Sequence, residues 1–114
     1  MKIFYGHSEG RHDVSSETPV ETTVDIALEV FRGLDARRGF MGVTLESPLC
    51  LQLLRRRGDR VEVELLDTSR PALDRCEAHV DFAESLIRAA FEGRDVFQVA
   101  RQSDHVWEHL DMAG

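Results

Sequence analysis

A chain of 114 residues, 42% apolar and 31% charged, has the size and composition of one domain, residues 1–114, with a core that needs neither metal nor disulfide to hold it. No apolar run approaches the ~20 residues of a membrane helix, and 21 acidic against 14 basic residues give a formal charge of −7 that disfavours nucleic acid as a ligand. The same charge suits a basic protein partner.

Lys2 to Tyr5 is a short run of strand-forming types that turns polar at Gly6-His7-Ser8, too early for a secretory signal. The expected compartment is the cytoplasm, where Cys50 and Cys76, far apart in sequence, are expected as small buried thiols. Residues 6–17 carry neither helical nor strand period and read as a loop. Thr18-Pro19-Val20-Glu21 then has the chemistry of a helix start: a hydroxyl for the Glu21 amide, a carboxylate reaching back, and a proline where its missing N–H costs nothing. Val20, Val24, Ala27, Leu28, Phe31 and Leu34 follow at helical spacing, widened by Ile26 and Val30. Arg37 and Arg38 suit the C-terminal end of the helix dipole, and Gly39 is the expected stop.

From Phe40 the period becomes two. Met41, Val43 and Leu45 alternate with Gly42 and Thr44 until Ser47-Pro48, and the pattern resumes in two arms, Leu49-Leu51-Leu53 and Val61-Val63-Leu65. A two-residue turn at Gly58-Asp59 would place Gln52 against Leu65 and mix the faces. A three-residue loop, Arg57-Gly58-Asp59, sets Leu53 against Val63 and Leu51 against Leu65, and this register is the one expected. The other face then carries charge sorted by arm, Arg55, Arg56 and Arg57 meeting Glu62 and Glu64 diagonally in a balanced, solvated surface. Residues 67–74 read as a loop. A short strand from Arg75 to Val80 puts Cys76 and Ala78 opposite Glu77 and His79, and Asp81 caps a second helix whose stripe Phe82, Ala83, Leu86, Ile87, Ala90, Phe91 ends at Gly93. In the tail, Val96 to Val99 reads as strand or helix, and Ser103 to Leu110 as a short helix or irregular segment docked through Val106, Trp107 and Leu110.

The expected architecture is α+β, a mostly antiparallel sheet of four to five strands with two main helices packed on one face. A first helix, Gly39-Phe40-Met41-Gly42-Val43 leading into a hairpin, and a late helix from Asp81 to Glu92 together resemble the small acidic immunity proteins with which bacteria neutralise the toxins of neighbouring cells. The resemblance covers most of the chain as an order of elements. It implies a stoichiometric inhibitor whose acidic surface covers a toxin, and it assigns no role to any single residue.

Chemistry is sparse. His105-Val106-Trp107-Glu108-His109 matches H-x-x-E-H, in which two imidazoles hold zinc and the glutamate activates water, but that arrangement needs a third ligand and a large cleft; only His7, His12 or His79 would be left to supply it. His7, His12 and Asp13 in the first loop are groups suited to acid–base work or binding. Cys76 and His79 fall on opposite strand faces, which separates them as a nucleophilic pair. Arg57-Gly58-Asp59 spells an adhesion tripeptide but has the composition of a turn. No catalytic residue, metal or cofactor is expected. The sequence favours a non-enzymatic protein-binding module of immunity or regulatory type. Its alternatives are a self-associating protein dimerising through an open sheet edge or face, and a small metal-dependent enzyme using His105, Glu108 and His109.

Overall fold

In a computed structural model that describes residues 1–6, 14–37, 39–70 and 72–111, the sheet grows outward from one hairpin. Strands β4 (Leu49–Arg55) and β5 (Arg60–Asp67) pair antiparallel with Leu53 opposite Val63, Leu51 opposite Leu65, Gln52 opposite Glu64 and Leu54 opposite Glu62. That is the register of the three-residue loop. The Arg56 N–H donates to the Arg60 carbonyl at 3.0 Å to close it, and Gly58 sits at φ 63°, where a side chain would be strained.

On one side follow β3 (Phe40–Thr44), β1 (Lys2–Gly6) and β2 (Val20–Glu21); on the other, β6 (Ala72–His79) and β7 (Glu108–Asp111). The order is β2-β1-β3-β4-β5-β6-β7, with antiparallel pairing throughout. Seven described strands replace the expected four to five. The unforeseen ones are the edges β2 and β7, whose two and four residues are too few to display a period.

Three helices are described where two were expected. Helix α1 (Val24–Arg32) starts later than the Thr18–Glu21 chemistry suggests, because Val20 and Glu21 pair with Ile3 and Lys2 and leave Thr23 as the cap, its Oγ1 accepting from the Ile26 N–H at 3.4 Å. The sheet edge outcompetes the capping box. Val20 is accordingly 44% exposed, while Ala27, Leu28 and Phe31 are buried. The helix ends at Arg32 with Gly33 as its cap, well short of Gly39, and Arg38 lies outside the described residues. Helix α2 (Val80–Phe91) is capped by His79 in place of Asp81: the imidazole Nδ1 accepts from the Asp81 N–H at 3.0 Å, and β6 runs directly into the helix. Helix α3 (Val96–Arg101), capped by Asp95, occupies the part of the tail where strand and helix were both open.

All three helices lie against the same face of the sheet. Ile3, Met41, Val43, Leu51, Leu53, Val61, Val63, Leu65, Cys76 and Ala78 form one core with Ala27, Leu28 and Phe31 of α1, Ala83, Leu86, Ile87, Ala89 and Ala90 of α2, and Val96, Phe97 and Ala100 of α3. Alternation puts those strand residues on one side and the helical stripes cover them. Arg55 also points to this side, not to the charged face expected of it; its guanidinium lies 5.8 Å from the Phe31 ring centroid and donates to the Gly58 carbonyl at 3.1 Å. Arg32 donates from Nε and Nη2 to the Glu84 carboxylate at 3.0 and 2.7 Å, tying α1 to α2. Among the described residues no helix is long and apolar enough to cross a membrane.

Two substitutions probe this architecture. Leu53→Ala and Val63→Ala, each removing half of a fully buried cross-strand pair, are predicted to cost about 2–4 kcal/mol each in urea unfolding; unchanged midpoints for both would mean the pair is not in the core. Gly42→Ala is predicted to cost about 1–3 kcal/mol by overpacking, because a methyl there would run into the Phe4 ring. A wild-type midpoint would show that the ring swings aside freely.

Candidate functional site

The second face of the sheet is the unusual one. An antiparallel sheet with helices on one side ordinarily turns a polar face outward, yet the rows Lys2-Thr44-Cys50-Leu66-Leu73-Leu110, Phe4-Gly42-Gln52-Glu64-Arg75-Glu108 and Phe40-Leu54-Glu62-Glu77 run across this side. Phe4, Phe40, Cys50, Leu54, Leu66, Leu73 and Leu110 are buried or half-buried and stand outside the core that the helices cover. Phe4 lies over Gly42, where there is no side chain, and its ring tilts at 55° to that of Phe40, with centroids 6.5 Å apart.

Phe4, Phe40, Cys50 and Leu66 of this set line a groove of about 890 Å³. Phe4, Phe40, Cys50, Leu66, Val14 and Pro48 give it apolar lining, joined by Tyr5, Leu45 and Leu49, which also pack against the core, and Ser15, Ser16, Ser47, Thr44, Thr68 and Gln52 give it polar groups. No charged side chain lines it among the described residues. An apolar base with a few polar groups, at this volume, is the usual make-up of a binding cleft. The walls come from the segment that bridges to β1 through the Tyr5–Val14 pair and from the β3–β4 connection.

Beside the groove the face becomes charged. Arg56 pairs with Glu62 at 3.3 Å, Arg60 with Glu77 at 3.4 Å and Arg75 with Glu108 at 3.2 Å. The Arg56–Glu62 pair is the diagonal contact the register implies, and pairs this exposed contribute little each. Glu64, next to Gln52 across the ladder, forms no ion pair with an arginine or lysine among the described residues. Half-burial is the first cause, and the hydrogen-bonded carboxyl of Glu62 the second, that push the Glu64 carboxyl up to about 7, against the pull of Arg75 and Arg56. The expected solvated face is thus in part a dehydrated one.

The residues singled out from sequence are placed elsewhere. Glu108 and His109 are neighbours on a strand, so they point to opposite faces: Glu108 meets Arg75, and the His109 Nδ1 lies 2.6 Å from Asp74 on the helix side. His105 stacks on Phe82 of α2 at 4.1 Å between centroids, its Nδ1 3.0 Å from the Ser103 hydroxyl. The three do not converge, because the H-x-x-E-H string is loop and strand here, not a helix. His79 caps α2 and has its Nε2 3.0 Å from Asp59. Among the described residues no group of three or more His, Cys, Asp or Glu is placed to hold a metal ion. His7, His12 and Asp13 lie outside the described residues. Cys50 and Cys76 lie on opposite faces, each with its thiol pushed up to about 11 by burial, and thus neither is an activated nucleophile.

The groove has no period of its own in the sequence, because the regular alternation marks the helix-facing side of the strands. The available signal was Cys50, Leu54 and Leu66 at positions that a solvated face would fill with polar residues. Comparison with protein-family models, with curated proteins and with solved structures finds no match to this chain, so the reading of the site rests on its own geometry.

The displaced Glu64 titration gives a sign for pH-dependent stability. A carboxyl raised in the folded state takes up a proton on folding, so its contribution is fully favourable below the unfolded value near 4.5 and is lost as pH climbs through about 7. Glu64→Gln is therefore predicted to raise the melting temperature at pH 8 relative to wild type, with the gain shrinking toward pH 5. An equal difference at both pH values would mean that Glu64 titrates normally.

Proposed function

We propose that this chain is a non-enzymatic protein-binding module, of immunity or regulatory type, whose partner seats on the face of the sheet opposite the three described helices. The observation that carries this reading is the groove of about 890 Å³, floored by apolar side chains that no described helix covers. A concave apolar floor bordered by a few polar groups is the usual make-up of a binding cleft. The molecule is 32 Å across, so one whole face is on the order of the ~800 Å² that a partner contributes to a standard interface. The net charge of −7 favours a basic partner through faster encounter. On the immunity reading that partner is a toxin, bound one to one and covered.

Site-specific photo-crosslinking in the organism of origin tests this. With a photoreactive residue in place of Gln52, at the edge of the groove, the expected product is one discrete protein adduct; the same residue in place of Glu92, exposed at the end of α2, gives none. Adducts at Glu92 and not at Gln52 would move the interface to the helical side, and none at either would remove the reading.

A further inference from the structure

The groove and Glu64 are adjacent by construction. Leu66 lines the groove, and Glu64 precedes it by two residues on the same strand and the same face, so their backbone positions are about 6.5–7 Å apart along β5. Gln52, on the groove's rim, is directly across the ladder from Glu64. We propose that the occupant is an extended protein segment presenting an apolar or aromatic side chain, seated in the groove, and a lysine or arginine two residues away that reaches Glu64 and Glu62. This deepens the reading of the face as a docking surface and rests on it.

Charge complementarity selects this occupant. Three arginines on the face are each matched to a carboxylate, at Glu62, Glu77 and Glu108, and Lys2, at the far edge of the face, lies beside Glu21; among the described residues Glu64 is the carboxyl next to the cleft that pairs with no arginine or lysine. A segment in β conformation repeats its side chains on one face at the same two-residue spacing, so its apolar and basic groups match the hollow and the carboxyl together. An acidic segment would add a third negative charge to Glu62 and Glu64. A second copy of this chain would bring its own surplus carboxyl to the same place.

The binding should be linked to protons. The charged groups around Glu64 are Glu62 and Arg60 on its own strand, Arg56 beyond the end of β4, Arg75 and Glu77 on β6, and Glu108 on β7; from β4 it meets the neutral Gln52 directly. With the carboxyl half-protonated at about pH 7, a cation that binds its charged form expels that proton. Apparent affinity then scales with the ionised fraction and rises about tenfold between pH 6 and pH 8.

The test uses the whole protein, labelled with nitrogen-15, and the blocked peptides Trp-Ser-Arg, Trp-Ser-Glu and Ser-Ser-Arg at up to millimolar concentration. The expected result is that Trp-Ser-Arg shifts the amides of Gln52, Glu64 and Leu66, binds about tenfold more tightly at pH 8 than at pH 6, and outcompetes both other peptides; in Glu64→Gln the pH dependence and the preference for arginine vanish while the tryptophan-driven shifts persist. Equal binding of Trp-Ser-Arg and Trp-Ser-Glu would overturn the cationic occupant yet leave the face as a docking surface. Shifts confined to the helical side, or none with any peptide, would overturn the inference, while the crosslink at Gln52 separately decides the broader reading. Concentration-dependent broadening of the same amides without peptide would assign the face to a second copy and overturn it too.

Discussion

The hairpin register of β4 and β5 is the constraint on which the rest of the molecule depends. Side chains alternate with a period of two, so the pairing decides which residues of the two strands share a face. Setting Leu53 against Val63 puts both in the row that runs from Tyr5 and Met41 on one flank to Cys76 on the other. A slip of one residue would turn one arm over relative to the other, sending either Leu51 and Leu53 or Val63 and Leu65 away from the helices and presenting Gln52, or Glu62 and Glu64, to them. Burying such polar groups without partners would cost more than a turn preference could offset.

The two faces that result are chemically different, and the difference gives the protein its surface. One is sealed by the stripes of α1, α2 and α3. The other keeps a row of large apolar side chains and a cluster of ion pairs, separated along β5 by the step from Leu66 to Glu64. Gly42, lacking a side chain, lets the Phe4 ring lie against the strand, and Phe4, Phe40 and Cys50 line the hollow. A sheet surface with polar residues at these positions would simply be wet. This one holds a carboxyl whose proton affinity is set by its neighbours, so shape and charge act at adjacent points.

Much of this was legible in the residues themselves. The hairpin register, the faces of Cys76 and His79, the stripes of the first two helices and the stop at Gly93 follow from side-chain period and turn chemistry, because the forces that set them act within a few residues or across one turn. The site was less legible. Cys50, Leu54 and Leu66 are unremarkable singly, and only the pairing of β1, β3, β4 and β5 gathers them with Phe4 and Phe40 into one surface. The histidines, by contrast, form a motif on paper, and the strand geometry at Glu108 and His109 takes it apart.

By itself the sequence determined an α+β chain, an antiparallel hairpin in a particular register, and an acidic surface, since composition, period and turn length are local quantities. Only the tertiary structure decided where α1 begins, because the capping chemistry at Thr18 lost to a pairing with the sheet edge at Lys2 and Ile3, residues distant in the chain. It also decided that Glu64 is half-buried and pairs with no arginine or lysine among the described residues, and that a groove opens beside it. Those are properties of neighbours brought together by folding, and no linear pattern encodes a neighbour three strands away.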